Sequence, residues 1–260
     1  MEEGIILSKQ RFPSPNPRID LHIITYLCQG LKVKGLLAEP KEGKGFDGFL
    51  YLRGGIKNVG KVRVGRIVQF ASEGFVVMAP FYRGNQGGEG NEDFAGEDRQ
   101  DALSALHILR KHPKVNYDRI HVFGFSRGGV MALFTGIIDL NIRSVVCWGG
   151  VSDMALTYVE RLDLRRMMKR VIGGTPTKVP DAYKWRTPLF FLESLSAPVL
   201  IIHGKNDHNV SVEHSYRLEK RLKELNKPVE AWYFDEFTHY FPPLVNRKVV
   251  KDLTTWMKKQ

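Results

Sequence analysis

Ser126 is the residue whose setting says most about chemistry. It lies in Arg119-Ile120-His121-Val122-Phe123-Gly124-Phe125-Ser126-Arg127-Gly128-Gly129, a Gly-x-Ser-x-Gly pattern. The apolar run before it reads as a buried strand, and Val130-Met131-Ala132-Leu133-Phe134 after it reads as a helix. The serine therefore falls where a strand turns sharply into a helix. Such a turn needs small residues on both sides, because a side chain there collides with the crossing backbone. It also lifts the hydroxyl clear of the sheet, beside the positive end of the helix. Five residues of this pattern arise by chance in long chains. The strand and helix around them make Ser126 a candidate nucleophile.

A serine hydroxyl is a poor nucleophile at neutral pH. It needs a base to take its proton, and the base needs an acid to orient it and stabilise its charged form. Asp207 and His239 supply these groups in the order serine, acid, histidine. Asp207 stands in Gly204-Lys205-Asn206-Asp207, the loop that ends the apolar run Val199–His203, and His239 follows the run that ends at Phe234-Asp235. Each sits one loop beyond a strand, as Ser126 does. Asp153, after Trp148-Gly149-Gly150-Val151-Ser152, is the alternative acid, and His203 and His208 flank Asp207. The charge that forms on an attacked carbonyl oxygen needs N–H donors. The backbone N–H of Arg127 is one, and that of Gly55, in Tyr51-Leu52-Arg53-Gly54-Gly55-Ile56, is the second, with Gly54 in reserve.

These groups must be carried by a sheet. Eight strand-like runs can be read: Ile19–Leu27, Leu31–Glu39, Gly48–Leu52, Phe75–Ala79, Arg119–Phe123, Arg143–Trp148, Pro198–His203 and Val229–Phe234. The first two alternate and are joined by Cys28-Gln29-Gly30, a hairpin signal. The later ones are short and apolar throughout, like strands buried on both faces of a parallel sheet. Helical spacing marks Lys61–Glu73, Asp98–Lys111, Val212–Leu225 and Leu244–Lys258. Alternating strands and helices predict an α/β domain over residues 1–260, with its crevice at the carboxyl ends of the strands. Residues 151–196 depart from the alternation. They form a long basic excursion that is expected either to cap the crevice or to serve as a decorated crossover.

Composition narrows the setting. The 260 residues are 43% hydrophobic, enough for one large core. The first residues, Met1 to Lys9, do not read as a secretory signal, and no apolar run is long enough to span a bilayer. Cys28 and Cys147 sit in apolar runs and read as buried thiols. A cytoplasmic location is expected. The net charge of +11 admits nucleic acid or a membrane surface as partner, yet the cations are spread out and the densest group, Arg161, Arg165, Arg166, Lys169 and Arg170, carries no nucleic-acid motif. His203 and His208 near Asp207 lack metal-ligand spacing.

The chain resembles the catalytic α/β-hydrolase domain of the prolyl oligopeptidase family of serine peptidases. Arg53-Gly54-Gly55 resembles that family's His-Gly-Gly-Pro segment, and Tyr82-Arg83-Gly84-Asn85-Gln86-Gly87-Gly88-Glu89-Gly90 its Arg-Gly-rich loop. Asp118-Arg119-Ile120 leading to Gly124–Gly129 resembles the nucleophile segment, and Trp185-Arg186-Thr187-Pro188 its Arg-Ser-Pro. The most specific match is Val199-Leu200-Ile201-Ile202-His203-Gly204-Lys205-Asn206-Asp207-His208-Asn209-Val210. The resemblance implies Ser126, Asp207 and His239 as a triad, the N–H groups of Gly55 and Arg127 as oxyanion hole, and no metal or organic cofactor. Arg53 replaces the family's usual histidine or oxyanion tyrosine, and Phe237 a frequent glutamate. The length leaves no room for the β-propeller that members often carry, so a stand-alone domain acting on short peptides or amides is expected. Small acyl esters are the alternative substrates.

Two other function classes compete. Gly55-Ile56-Lys57-Asn58-Val59-Gly60-Lys61-Val62 nearly spells a phosphate-binding P-loop, but Val62 stands where Mg²⁺ binding needs serine or threonine. A non-catalytic protein binding through its positive surface is the other. Neither accounts for the placement of Ser126, Asp207 and His239.

Overall fold

The computed structural model describes residues 4–260. Nine strands form one sheet: β1 (Ile6–Phe12), β2 (Ile19–Cys28), β3 (Leu31–Pro40), β4 (Phe46–Leu52), β5 (Phe75–Pro80), β6 (Val115–Phe125), β7 (Ser144–Trp148), β8 (Val199–Gly204) and β9 (Val229–Phe234). Their spatial order is β1-β2-β3-β5-β4-β6-β7-β8-β9. The three pairs from β1 to β5 are antiparallel, and the five from β5 to β9 are parallel.

The sheet thus has one strand more than the sequence predicts. Ile6–Phe12 neither alternates nor stays apolar, and both of its faces are largely exposed. Backbone pairing with β2, from Ser8 opposite Thr25 to Phe12 opposite Leu21, holds it at the edge. Side-chain patterning cannot reveal a strand held that way. The expected hairpin joins β2 to β3. Gln29 and Gly30 both take positive φ, 48° and 80°, the turn whose twist matches two antiparallel strands.

Alternate residues of the central strands serve two cores. Leu50, Leu52, Ile120, Val122, Val199 and Ile201 face α2 (Arg99–Arg110), α3 (Gly128–Ile138) and α7 (Glu213–Glu224). Phe49, Tyr51, Phe123, Leu200 and Ile202 face α1 (Val64–Ser72) and α8 (Pro243–Lys258). On the second face Phe49 stacks on Phe70 at 4.3 Å and packs beside Phe123 at 5.7 Å. Burying such rings, each worth about 1.5–3 kcal/mol, fixes the central strands whose ends carry the site.

The 151–196 excursion folds as α4 (Met154–Glu160), α5 (Arg165–Ile172) and α6 (Pro180–Trp185) with three short 3₁₀ turns. Met154, Met168, Ile172, Tyr183, Leu192 and Leu195 are buried and join the core on the α3 face. Both cysteines are free and buried, and burial pushes each thiol up to about 12. No helix among the described residues is long and apolar enough to cross a membrane.

Candidate active site

Ser126 sits between β6 and α3 with φ of 58°, a left-handed conformation that costs a non-glycine residue energy. Three backbone hydrogen bonds hold it there. Its N–H donates to the Trp148 carbonyl at 3.1 Å, and its own carbonyl accepts from Gly129 and Val151, both at 2.9 Å. The flanking glycines are a steric requirement: a Cβ on Gly124 would stand 2.1 Å from the Gly128 oxygen, and one on Gly128 would stand 2.0 Å from the Leu52 oxygen. Gly54 crosses so closely that a Cβ there would lie 2.5 Å from the Ser126 Cβ.

Asp207 and His239 come from the loops after β8 and β9. The Asp207 Oδ2 accepts from His239 Nδ1 at 2.6 Å, and its Oδ1 accepts from the Asn209 and Val210 N–H groups at 2.8 and 3.0 Å. Burial opposes the charge of Asp207 most strongly. Hydrogen bonds from His203 and His239, with the Val210 N–H, outweigh it and hold the carboxyl well below the usual range. With Nδ1–H given to Asp207, the His239 lone pair is on Nε2, the atom a base needs. The imidazole is nearly buried and packs against Phe125 at 4.6 Å and Tyr240 at 5.1 Å. Gly149 leaves room for the pair, since a Cβ there would stand 3.2 Å from His239 Nδ1 and 3.3 Å from Asp207 Oδ2.

The other candidates lie elsewhere. Asp153 caps α4, accepting from the Ala155 and Leu156 N–H groups at 2.9 and 3.0 Å, and pairs with Arg217. His203 is wholly buried behind Asp207, its Nε2–H donating to the Val210 carbonyl at 2.9 Å and its Nδ1 meeting Ser215 Oγ at 2.6 Å. It helps to fix the Asp207 loop. His208 is exposed beside it. Among the described residues no group of three or more His, Cys, Asp or Glu is arranged to hold a metal ion.

Sequence reasoning missed the buried charges behind the two candidate oxyanion donors. Glu92 is 5% exposed and lies between Arg53 and Arg127. Its Oε1 forms an ion pair with Arg53 Nη2 at 3.0 Å and accepts from Arg127 Nη2, while its Oε2 accepts from the Lys57 N–H at 2.6 Å and from Asn85 at 2.8 Å. Burial works against that carboxylate, but Arg127, then Arg53, keep its pKa low. Arg127 also donates to Asp98 at 2.8 Å, and Arg53 donates to the Phe81, Gly54 and Val59 carbonyls. The 54–60 loop and the elbow are thereby tied to one carboxylate. Neither the Gly55 nor the Arg127 N–H has an acceptor among the described residues.

Two cavities meet at this point. One, of about 150 Å³, is lined by Ser126, Gly55, Arg127 and the 151–196 residues Val151, Thr157, Glu160, Arg161 and Leu164. The other, of about 670 Å³, runs under α1 and α8. His239, Tyr240, Phe125 and Gly54 line both.

The family model for the prolyl oligopeptidase family (peptidase S9) matches residues 62–260, a stretch that holds Ser126, Asp207 and His239. The chain belongs to the prolyl oligopeptidase family. It is a serine hydrolase of that peptidase type, with the α/β-hydrolase fold. It is 65% identical over 257 residues to the "Uncharacterized peptidase YtmA" of Bacillus subtilis (strain 168), covering 98% of this chain and 100% of that one. It is 24% identical to the dipeptidyl-peptidase 5 of Porphyromonas gingivalis over 84% of this chain and 34% of that one, so it spans about a third of that relative. The structure of Pyrococcus horikoshii acylaminoacyl peptidase matches with a TM-score of 0.80 at 23% identity, over 98% of this chain and 42% of that one. That likeness speaks for the fold.

Proposed function

We propose that Ser126, His239 and Asp207 are the catalytic triad and that the N–H groups of Gly55 and Arg127 form the oxyanion hole. Ser126 Oγ attacks the carbonyl carbon as His239 Nε2 takes its proton. The carbonyl oxygen becomes an oxyanion between the two N–H groups. His239 then gives the proton to the leaving group, and water releases the acyl group by the same steps in reverse. Asp207, held ionised, fixes the imidazole tautomer and stabilises its charged form. The observation that carries the reading is the Asp207–His239 hydrogen bond, with His239 and Ser126 lining the same cavity.

The substrates under this reading are short peptides or amides. The 151–196 excursion acts as a cap over the acyl side of a single domain, supported by five of its residues lining that cavity. A cytoplasmic setting is consistent with the two unpaired, buried thiols. The small acyl cavity supports a second reading, hydrolysis of small acyl esters. A panel of aminoacyl anilides, short peptides and short-chain acyl esters decides between them. Turnover of peptides and anilides that vanishes in Ser126→Ala supports the peptidase. Turnover of esters alone supports the esterase.

A further inference from the structure

The larger cavity has a chemistry that the triad does not require. Lys61, Arg63, Arg66 and Arg247 stand along it, and no carboxylate does. None of the four makes a salt bridge among the described residues, so their charge is free to meet an anion in the cavity. Arg66 is held in place. Its guanidinium donates to Asn246 Oδ1 and lies 4.9 Å from the Trp148 ring and 5.3 Å from the Phe70 ring, a flat and rigid cation facing the cavity. At its other end the same cavity is walled by His239, Tyr240 and Phe125.

The side of the bond follows from what each cavity lacks. Ser126, Gly55 and Arg127 line only the smaller one, where the acyl carbon and its oxyanion would sit. His239, the group that hands a proton to the departing atom, lines both cavities, so a leaving group beyond the acyl side lies next to it in the larger one. We infer that this cavity is a leaving-group subsite for a carboxylate, recognised by Lys61, Arg63, Arg66 and Arg247. The inference rests on Ser126 and His239 acting as proposed above. The carboxylate has two sources, the C-terminal end of a short peptide or an acidic side chain just beyond the cleaved bond. A volume of about 670 Å³ holds a residue or two, as substrate pockets do.

Three substrates with one acyl part test it: a peptide with a free C-terminal carboxylate, its carboxamide, and a carboxamide with Asp after the cleaved bond. The expected kcat/KM favours the free acid over the carboxamide by about 10-fold at low salt, because guanidinium–carboxylate pairs are charge-assisted. That ratio shrinks towards one at about 0.5 M salt, since three of the four cations are exposed. It also falls in Arg66→Gln and in Arg247→Gln, the second an exposed position whose change leaves the core alone. Lys44→Gln, exposed and outside both cavities, keeps the wild-type ratio. A gain for the Asp carboxamide assigns the site to side chains; a gain for the free acid alone assigns it to the chain end. A wild-type ratio within twofold of one for both, or a ratio unmoved in both arginine variants, overturns the subsite. Fluorophosphonate labelling of wild-type Ser126 separates the failures. Labelling with no carboxylate preference sinks the subsite alone, and no labelling sinks the reading it rests on.

Discussion

Replacing Glu92 by glutamine removes one negative charge from between two buried arginines and changes almost nothing in shape. Glu92 accepts three hydrogen bonds and forms one ion pair with Arg53, so donor groups face both of its oxygens, two on each. A glutamine NH₂ in either orientation therefore faces donors. At 3.0 Å and an effective dielectric of about 20, attraction to Arg53 alone is about 5 kcal/mol. Relief from burying the carboxylate returns part of that. Breaking a buried pair costs about 3–5 kcal/mol net, a large share of a typical stability of 5–15 kcal/mol. Glu92 holds the Lys57 N–H in one loop and Arg127 in the other, so both proposed oxyanion donors should shift. We expect kcat to fall on the order of 100-fold, the low end for losing one donor. Urea denaturation and steady-state turnover below the melting transition measure the two effects. Asp101→Asn is the control. Its partner Arg83 is also buried, at 2.9 Å, but neither residue lines either of the two cavities at the candidate site, so stability should drop while kcat holds. A Glu92→Gln protein within about 1 kcal/mol of wild type, or one as unstable as expected with unchanged kcat, refutes the reasoning.

Asp207→Asn should cost roughly 10,000-fold in kcat by allowing the wrong His239 tautomer, while Asp153→Asn, which keeps an α4 cap, should stay near wild type; the reverse result would make Asp153 the acid. His214 accepts the Ser152 and Asp153 N–H groups on Nδ1, at 3.2 and 3.3 Å, and burial pushes its pKa down to about 4. Its folded pKa lies below the unfolded 6.5, so its contribution is full above pH 6.5 and is lost as pH falls to about 4, roughly 3 kcal/mol in all. His214→Asn keeps an acceptor without titrating, so its stability should fall less over that window; equal slopes for the two proteins would contradict this.

Much of the candidate site's geometry was legible because it depends on local pattern. Gly124 and Gly128 around Ser126 are demanded by backbone crossing, and crossing leaves a mark in sequence. Asp207 and His239 follow apolar runs whose ends are easy to read. The buried charges were not legible. Arg53, Glu92 and Arg127 come from three separate segments, and each alone looks like an ordinary solvated side chain. Arg127 is singled out by the sequence for its N–H, whereas its guanidinium turns inward to Glu92 and Asp98. The basic cavity is hidden for the same reason. The densest run of cations, from Arg161 to Arg170, lies on the excursion, while Lys61, Arg63 and Arg66, at and before the start of α1, share a cavity with Arg247 only once the chain has folded. Strand β1 escaped because its place is fixed by backbone hydrogen bonds, which composition does not record.

The most direct test is to treat the protein with a fluorophosphonate probe and map the adduct by mass spectrometry. A single adduct on Ser126, absent in Ser126→Ala and strongly slowed in His239→Ala with the fold retained by circular dichroism, is the predicted result. An adduct on another serine, or full labelling speed without the His239 imidazole, would contradict the account.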